Sequence, residues 1–135
     1  MSVHVAINGF GRVGRYLVRA CLDNDAIDIV AINSRAKPAN LAHLLKYDSV
    51  HGTFAAEVKA EADALTVNGK RIPITTQTGA LNELPWKSLG VDIVMECTGK
   101  FRKRDELAGH LAAGARKVLL AVPGKGLDAT FVMGV

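Results

Sequence analysis

Val5-Ala6-Ile7-Asn8-Gly9-Phe10-Gly11-Arg12-Val13-Gly14-Arg15 is the stretch that decides the fold. Val3, Val5 and Ile7 are β-branched and alternate, which predicts a short strand. From Val13 onward, Val13, Leu17, Val18 and Cys21 recur at helical spacing. Between strand and helix lies Gly9-x-Gly11-x-x-Gly14. A strand that turns directly into a helix through this pattern is the fingerprint of a dinucleotide-binding unit. The helix N-terminus offers unpaired N–H groups and a positive dipole end to a pyrophosphate. Gly9 is expected to permit the tight turn. Gly11 lets the diphosphate approach the backbone with no Cβ in the way. Gly14 lets helix and strand pack closely.

The chain has 135 residues, enough for one compact domain with its own core. Hydrophobic residues make up 49%, as in globular proteins generally. No stretch approaches the roughly 18 uninterrupted apolar residues of a membrane span. Val3 to Ile7 is too short for a signal h-region, so no targeting peptide and no membrane partner are expected. Cys21 and Cys97 are far apart and each lies in an apolar segment, which fits a reducing cytoplasm. The net charge of +4 suits a polyanionic nucleotide, and it also allows weak, salt-sensitive adhesion to nucleic acid.

Farther along, Ile27 to Ile32 reads as a second, largely apolar strand, as in a buried parallel sheet. Asn33 to Asn40 is a polar loop, and a short helix opens at Leu41, with Pro38 and Asn40 as start signals. Phe54–Ala60 and Leu65–Val67 are predicted strands, and Asn68-Gly69 is a hairpin turn before Arg71–Thr75. This antiparallel insertion interrupts the βα rhythm, and Pro73 puts its last strand at an edge. The rhythm resumes with a strand at Asp92–Cys97, a helix at Lys103–Ala113 capped by Gly114, and a strand at Lys117–Ala121. Thr130–Met133 is a last short strand. The fold class is therefore α/β: a Rossmann-type, doubly wound, mostly parallel sheet with a small antiparallel insertion, in one domain over 1–135. Ligands bind past the carboxyl ends of such strands. That places Asn8 to Gly14, Asn33 to Lys37, Cys97 to Phe101 and Ala121 to Gly126 on one rim.

Asn8-Gly9-Phe10-Gly11-Arg12-Val13-Gly14-Arg15 also resembles the opening of the phosphorylating glyceraldehyde-3-phosphate dehydrogenases and the related erythrose-4-phosphate dehydrogenases. Further matching segments follow in order, among them Val30-Ala31-Ile32-Asn33, His43 to Ser49, Pro85-Trp86, Cys97-Thr98-Gly99-Lys100-Phe101, Ala112 to Val118 and Val132 to Val135. The resemblance spans essentially the whole chain. It implies an NAD(P) cofactor, a phosphorylated aldehyde substrate and a homotetrameric full-length enzyme. The cofactor contacts expected from the turn, the strand ends and the resemblance are Asn8, Gly9, Phe10, Gly11, Arg12, Val13, Gly14, Asn33, Ser34, Arg35, Cys97, Thr98, Gly99, Phe101 and Ala121.

The ribose position departs from the family pattern. NAD-dependent members carry an Asp directly after the Asn that ends the second strand, where a carboxylate binds the ribose diol and repels a 2′-phosphate. Here the sequence is Asn33-Ser34-Arg35, with Lys37 following. Ser34 removes the repulsion, and the Arg35 guanidinium suits phosphate oxygens. The loop therefore favours NADP modestly over NAD. The alternative is a solvent-facing basic loop with no cofactor role.

The family acts through a thiolate and a histidine, in a Ser-Cys-Thr-Thr-Asn-like segment just beyond a strand like Thr130 to Gly134. Val135 ends the sequence before any such segment, so the chain reads as the cofactor part of a longer enzyme, inactive alone and monomeric or weakly dimeric. No catalytic residue is assigned. Cys97 is the one candidate substitute nucleophile, and a small residue packed under the cofactor is the plainer reading. His4, His43, His51 and His110 lack metal-ligand spacing, so no metal is expected. Glu96 reads as an acid satisfied locally, and Phe101 as an anchor into the core. The basic run Lys100 to Arg104 reads as the solvated start of a helix, with a phosphate or nucleic-acid patch as the alternative. Two other functions stay open: a stand-alone dinucleotide-binding module, and a nucleic-acid binder using the basic rim. Asn33-Ser34 and Ala121 to Lys125 look closer to the erythrose-4-phosphate and NADP-preferring branches than to the glycolytic NAD enzyme.

Overall fold

A computed structural model describes residues 1–135. The elements run β1 (Val3–Asn8), α1 (Arg12–Cys21), β2 (Ile27–Asn33), α2 (Pro38–Lys46), β3 (Tyr47–Asp48), β4 (Gly52–Thr53), β5 (Val58–Ala60), β6 (Ala64–Val67), β7 (Lys70–Thr75), β8 (Ile93–Glu96), α3 (Arg104–Ala112) and β9 (Lys117–Leu120). One sheet has seven strands in the order β5-β6-β7-β2-β1-β8-β9. From β7 to β9 all neighbours are parallel, while β5, β6 and β7 form an antiparallel meander. β3 and β4 make a separate two-stranded pair. The chain steps from β1 to β2 on one side and later from β1's other flank to β8. The sheet order therefore reverses at the β1/β8 boundary, the place where such folds bind ligands.

The alternation of β1 sorts its side chains onto two faces. Val5 and Ile7 join Val18, Ile29, Leu41 and Leu45 in one core, under α1 and α2. Ala6 joins Ala31, Trp86, Val94 and Ala113 in the other, under α3. Val30 is the extra residue of a bulge opposite the Val5/Ala6 step. Arg19 ties α1 to the end of α2: its guanidinium donates to the carbonyls of Leu45, Lys46 and Gly52 and lies 5.0 Å over the Phe54 ring.

Several sequence expectations need correction. Pro73 does not mark an edge, because β7 lies between β6 and β2. The Ile74 amide donates towards β6, to the Asp63 carbonyl, so the missing Pro73 amide falls on the β2 side. There the ladder covers only Ile74 and Thr75, and no bond is lost. The strand read at Phe54–Ala60 is confined to Val58–Ala60, and Phe54 instead packs in the core. The second helix begins at Pro38, with Lys37 and not Asn40 before it; proline's fixed φ suits a first helical position. Thr130–Met133 forms no strand, and Phe131 is 88% exposed. Asn68-Gly69 does make the expected hairpin turn, both residues having positive φ.

Candidate dinucleotide-binding site

The carboxyl ends of the parallel strands carry one polar row. Thr75, Asn33, Asn8 and Glu96 are register partners across β7, β2, β1 and β8. Apolar strands therefore end at a common level in groups that must find partners, and they find each other. Asn33 Nδ2 donates to Asn8 Oδ1 at 2.8 Å, and Asn8 Nδ2 donates to Glu96 Oε1 at 2.6 Å. Asn33 Oδ1 accepts from the Thr75 hydroxyl and the Gln77 amide. Glu96 Oε2 accepts from the Thr98 amide and hydroxyl, and His110 from α3 reaches Glu96 Oε1 at 2.8 Å. Glu96 and His110 are both fully buried. Burial pushes the Glu96 carboxyl up, but hydrogen bonds from His110, Thr98 and Asn8 outweigh it and hold the group below the usual glutamate range. Glu96 is a satisfied buried anion, as its sequence reading has it.

Above this row lies a cleft of about 400 Å³. Its lining includes Asn8, Gly9, Phe10, Gly11, Asn33, Ser34, Arg35, Cys97, Thr98 and Phe101. Gly9 has φ +93°, and a Cβ there would meet Thr98 at 2.7 Å, so only glycine fits. A Cβ on Gly14 would sit 2.5 Å from the Gly9 carbonyl and 3.0 Å from the Ile7 side chain of β1, which is the close helix–strand packing expected of it. A Cβ on Gly11 would meet nothing within 4 Å, because that residue faces open space. α1 has no side-chain cap and no acid in its first turn, and its leading amides stay free. The turn is thus an uncapped, positively polarised helix end beside a glycine that leaves room for a ligand, and a pyrophosphate fits it.

Other expected contacts lie outside this lining. Arg12 and Val13 are exposed on the first turn of α1, and Gly14 is buried beneath it. Gly99 flanks the cleft, and Ala121 follows β9 beyond it. Phe101 is no core anchor: it is half-buried and lines the cleft, the space beneath α3 being filled by Leu107, His110 and Trp86. Arg102, Lys103 and Arg104 are solvated at the start of α3, and Arg104 pairs with Asp128. Gln77, Thr78 and Gly79 line the cleft unannounced. The signal for them is the parallel pairing of β7 with β2, which places the end of β7 on the rim.

The surroundings of Cys97 disfavour the thiolate that a nucleophile needs. Burial, reinforced by the Glu96 carboxylate, pushes its thiol up to about 11, so the thiolate is scarce at neutral pH. Cys21 is likewise raised by burial. No cluster of His, Cys, Asp and Glu is placed to hold a metal ion, and no helix is long and apolar enough to cross a membrane.

Comparison with known proteins agrees with this geometry. Residues 3–104 match the family model described as glyceraldehyde 3-phosphate dehydrogenase, NAD binding domain. The chain belongs to the glyceraldehyde-3-phosphate dehydrogenase family. It is 52% identical to glyceraldehyde-3-phosphate dehydrogenase of Geobacillus stearothermophilus and 49% identical to glyceraldehyde-3-phosphate dehydrogenase 2 of Bacillus subtilis, in both cases over all of its length. Identity to the Pseudomonas aeruginosa enzyme is 51%. The chain covers 39–41% of these relatives' length. It is a Rossmann-type, NAD(P)-binding domain of this oxidoreductase family.

Two outcomes are expected at the site. Gly11→Val places a side chain in the open approach to the turn, so the fold should survive and dinucleotide affinity should fall at least tenfold, on the order of 1.4 kcal/mol, in titration calorimetry. Unchanged affinity would contradict the role of the turn. In a Cys21→Ser background, alkylation of Cys97 by iodoacetamide should be slow at pH 8 and should climb as pH rises towards 11. Fast alkylation at pH 7 would show an activated thiol.

Proposed function

We propose that the chain is the cofactor-binding part of a phosphorylating aldehyde dehydrogenase acting on glyceraldehyde-3-phosphate, with NADP favoured modestly over NAD. The observation that carries the cofactor reading is the charge of the cleft. No carboxylate is among its lining residues, and its charged members are Arg35 and Lys100. Ser34 stands where a diol-binding acid would repel a 2′-phosphate, and its hydroxyl is engaged only by a long contact from the Ala36 amide, 3.4 Å. Arg35 is exposed at the mouth of the cleft and free to meet a phosphate.

The substrate reading is supported by the names of the relatives, each a glyceraldehyde-3-phosphate dehydrogenase, over the erythrose-4-phosphate alternative. When bound, the nicotinamide supplies a hydride acceptor. This chain's part is to seat the diphosphate at Gly9–Gly11 and the adenosine end near Ser34 and Arg35. The thiolate and histidine of the family's chemistry belong to segments outside these residues. The chain alone should therefore show no aldehyde oxidation, and it should be monomeric or weakly dimeric, whereas the whole enzyme is expected to be a tetramer in the cytoplasm.

Competitive titration with NAD and NADP tests the cofactor choice. A charge-assisted hydrogen bond to a 2′-phosphate contributes about 1.5–3 kcal/mol when well formed, less in solvent, so a preference of roughly tenfold for NADP is expected. Ser34→Asp should shift preference to NAD. Arg35→Ala should weaken NADP alone, and added salt should shrink the preference. Equal binding of both cofactors, unmoved by Arg35→Ala, would make the loop mere solvated surface.

A further inference from the structure

We propose that His110 is a positioning residue for the phosphate turn: fixed in one tautomer by Trp86, it holds the Glu96 carboxylate that seats Thr98 against Gly9. The inference rests on the dinucleotide reading of the cleft. Trp86 Nε1 lies 3.0 Å from His110 Nδ1, and His110 Nε2 lies 2.8 Å from Glu96 Oε1. An indole nitrogen only donates, so Nδ1 must be the acceptor and carry no proton. Nε2 then bears the ring's hydrogen and donates it to Glu96. The assignment follows from the hydrogen-bond partners on both sides of the ring.

The consequence reaches the cleft through contacts only. Glu96 Oε1 takes Nε2 of His110 and Nδ2 of Asn8, and Oε2 takes the Thr98 amide and hydroxyl. Thr98 in turn is the wall that Gly9 touches. Asn8 and Thr98 thus flank the turn from below and beside, and one carboxylate fixes both. His110 is the sole donor to that carboxylate from α3, and it sits in a core otherwise filled by Trp86, Val94, Ala113 and Ala115. Packing alone asks for an apolar residue there; the Glu96 donor bond is what a histidine adds. If that bond is lost, Glu96 Oε1 keeps only the Asn8 donor, the hold on Thr98 loosens, and the turn occupies its binding geometry for a smaller fraction of the time. Apparent affinity falls by that fraction.

The test uses the 135-residue chain and its variants His110→Gln, His110→Phe and Trp86→Phe. NAD and NADP are titrated well below each variant's melting temperature, and amide hydrogen exchange is followed at Thr98 and Gly9. A glutamine amide can accept from Trp86 and donate to Glu96, so His110→Gln should bind within about twofold of wild type. His110→Phe should lose about tenfold for both cofactors and exchange faster at Thr98. Trp86→Phe, which keeps a six-membered aromatic ring but loses the pyrrole ring with its N–H, serves if His110→Phe does not fold. It should lose roughly threefold with faster exchange at Thr98. The proposal is overturned if the two phenylalanine variants melt lower yet bind and exchange at Thr98 as wild type does, or if His110→Gln loses as much as His110→Phe. Absence of dinucleotide binding in the wild type would instead sink the cofactor reading. The exchange rates at Thr98 would still decide the role of His110.

Discussion

The buried Glu96 carboxylate is the constraint on which the rest of the binding edge depends. An ionised carboxylate with no access to water is tolerated only when its lone pairs are filled. Here donors come from β1 through Asn8, from α3 through His110 and from the following turn through Thr98. Satisfying one charge therefore fixes the relative positions of a strand, a helix and a loop. Asn33 extends the same network to β2 and to the end of β7, so the carboxyl edges of four neighbouring parallel strands are locked at one level. A row of apolar residues would pack these ends without specifying their register so narrowly.

That locked edge carries a turn with almost no free volume. Gly9 rests on Thr98, and Gly14 rests on the Gly9 carbonyl. Only Gly11 is unobstructed, and it borders the free amides at the start of α1. The space available to a ligand and the polarity offered to it thus coincide at one point of the sheet, the β1/β8 switch. The basic residues at the mouth, Arg35 and Lys100, lie to either side of it. The absence of acids from the lining reinforces the attraction for a polyanion, the more so because Glu96, at the ends of the strands beneath, is turned inward and fully engaged.

Local signals were legible in the sequence, and distant ones were not. The strand–turn–helix of residues 3 to 21, the Asn68-Gly69 hairpin and the Gly114 cap depend on neighbours a few positions away, and each appears where its residues place it. Pro73 misled because its cost depends on which strand lies opposite, and β2 is some forty residues upstream in the chain. Phe101 misled because an aromatic residue among cations suits a cleft wall as well as a core. Gln77 to Gly79 escaped notice because β7 belongs both to the antiparallel meander and to the parallel sheet. His110 was unreadable: its partners Trp86 and Glu96 lie 24 and 14 positions away, and nothing in local spacing joins them. One signal was available for the row itself. Three apolar strands end in Asn8, Asn33 and Glu96, polar residues at equivalent places, and side-by-side strands bring such ends together.

The central claim is that a dinucleotide seats on the locked edge formed by these strand ends. Nuclear magnetic resonance titration of the isotope-labelled chain with NADP measures this directly, amide by amide. The expected result is saturable shifts at Gly9 to Val13, at Ser34 and Arg35, and at Thr98 to Phe101, moving together with one dissociation constant. Shifts confined to the exposed cations Arg102 to Arg104, or unsaturated shifts that vanish with salt, would show that the anion binds by surface charge and that the locked edge is not its site.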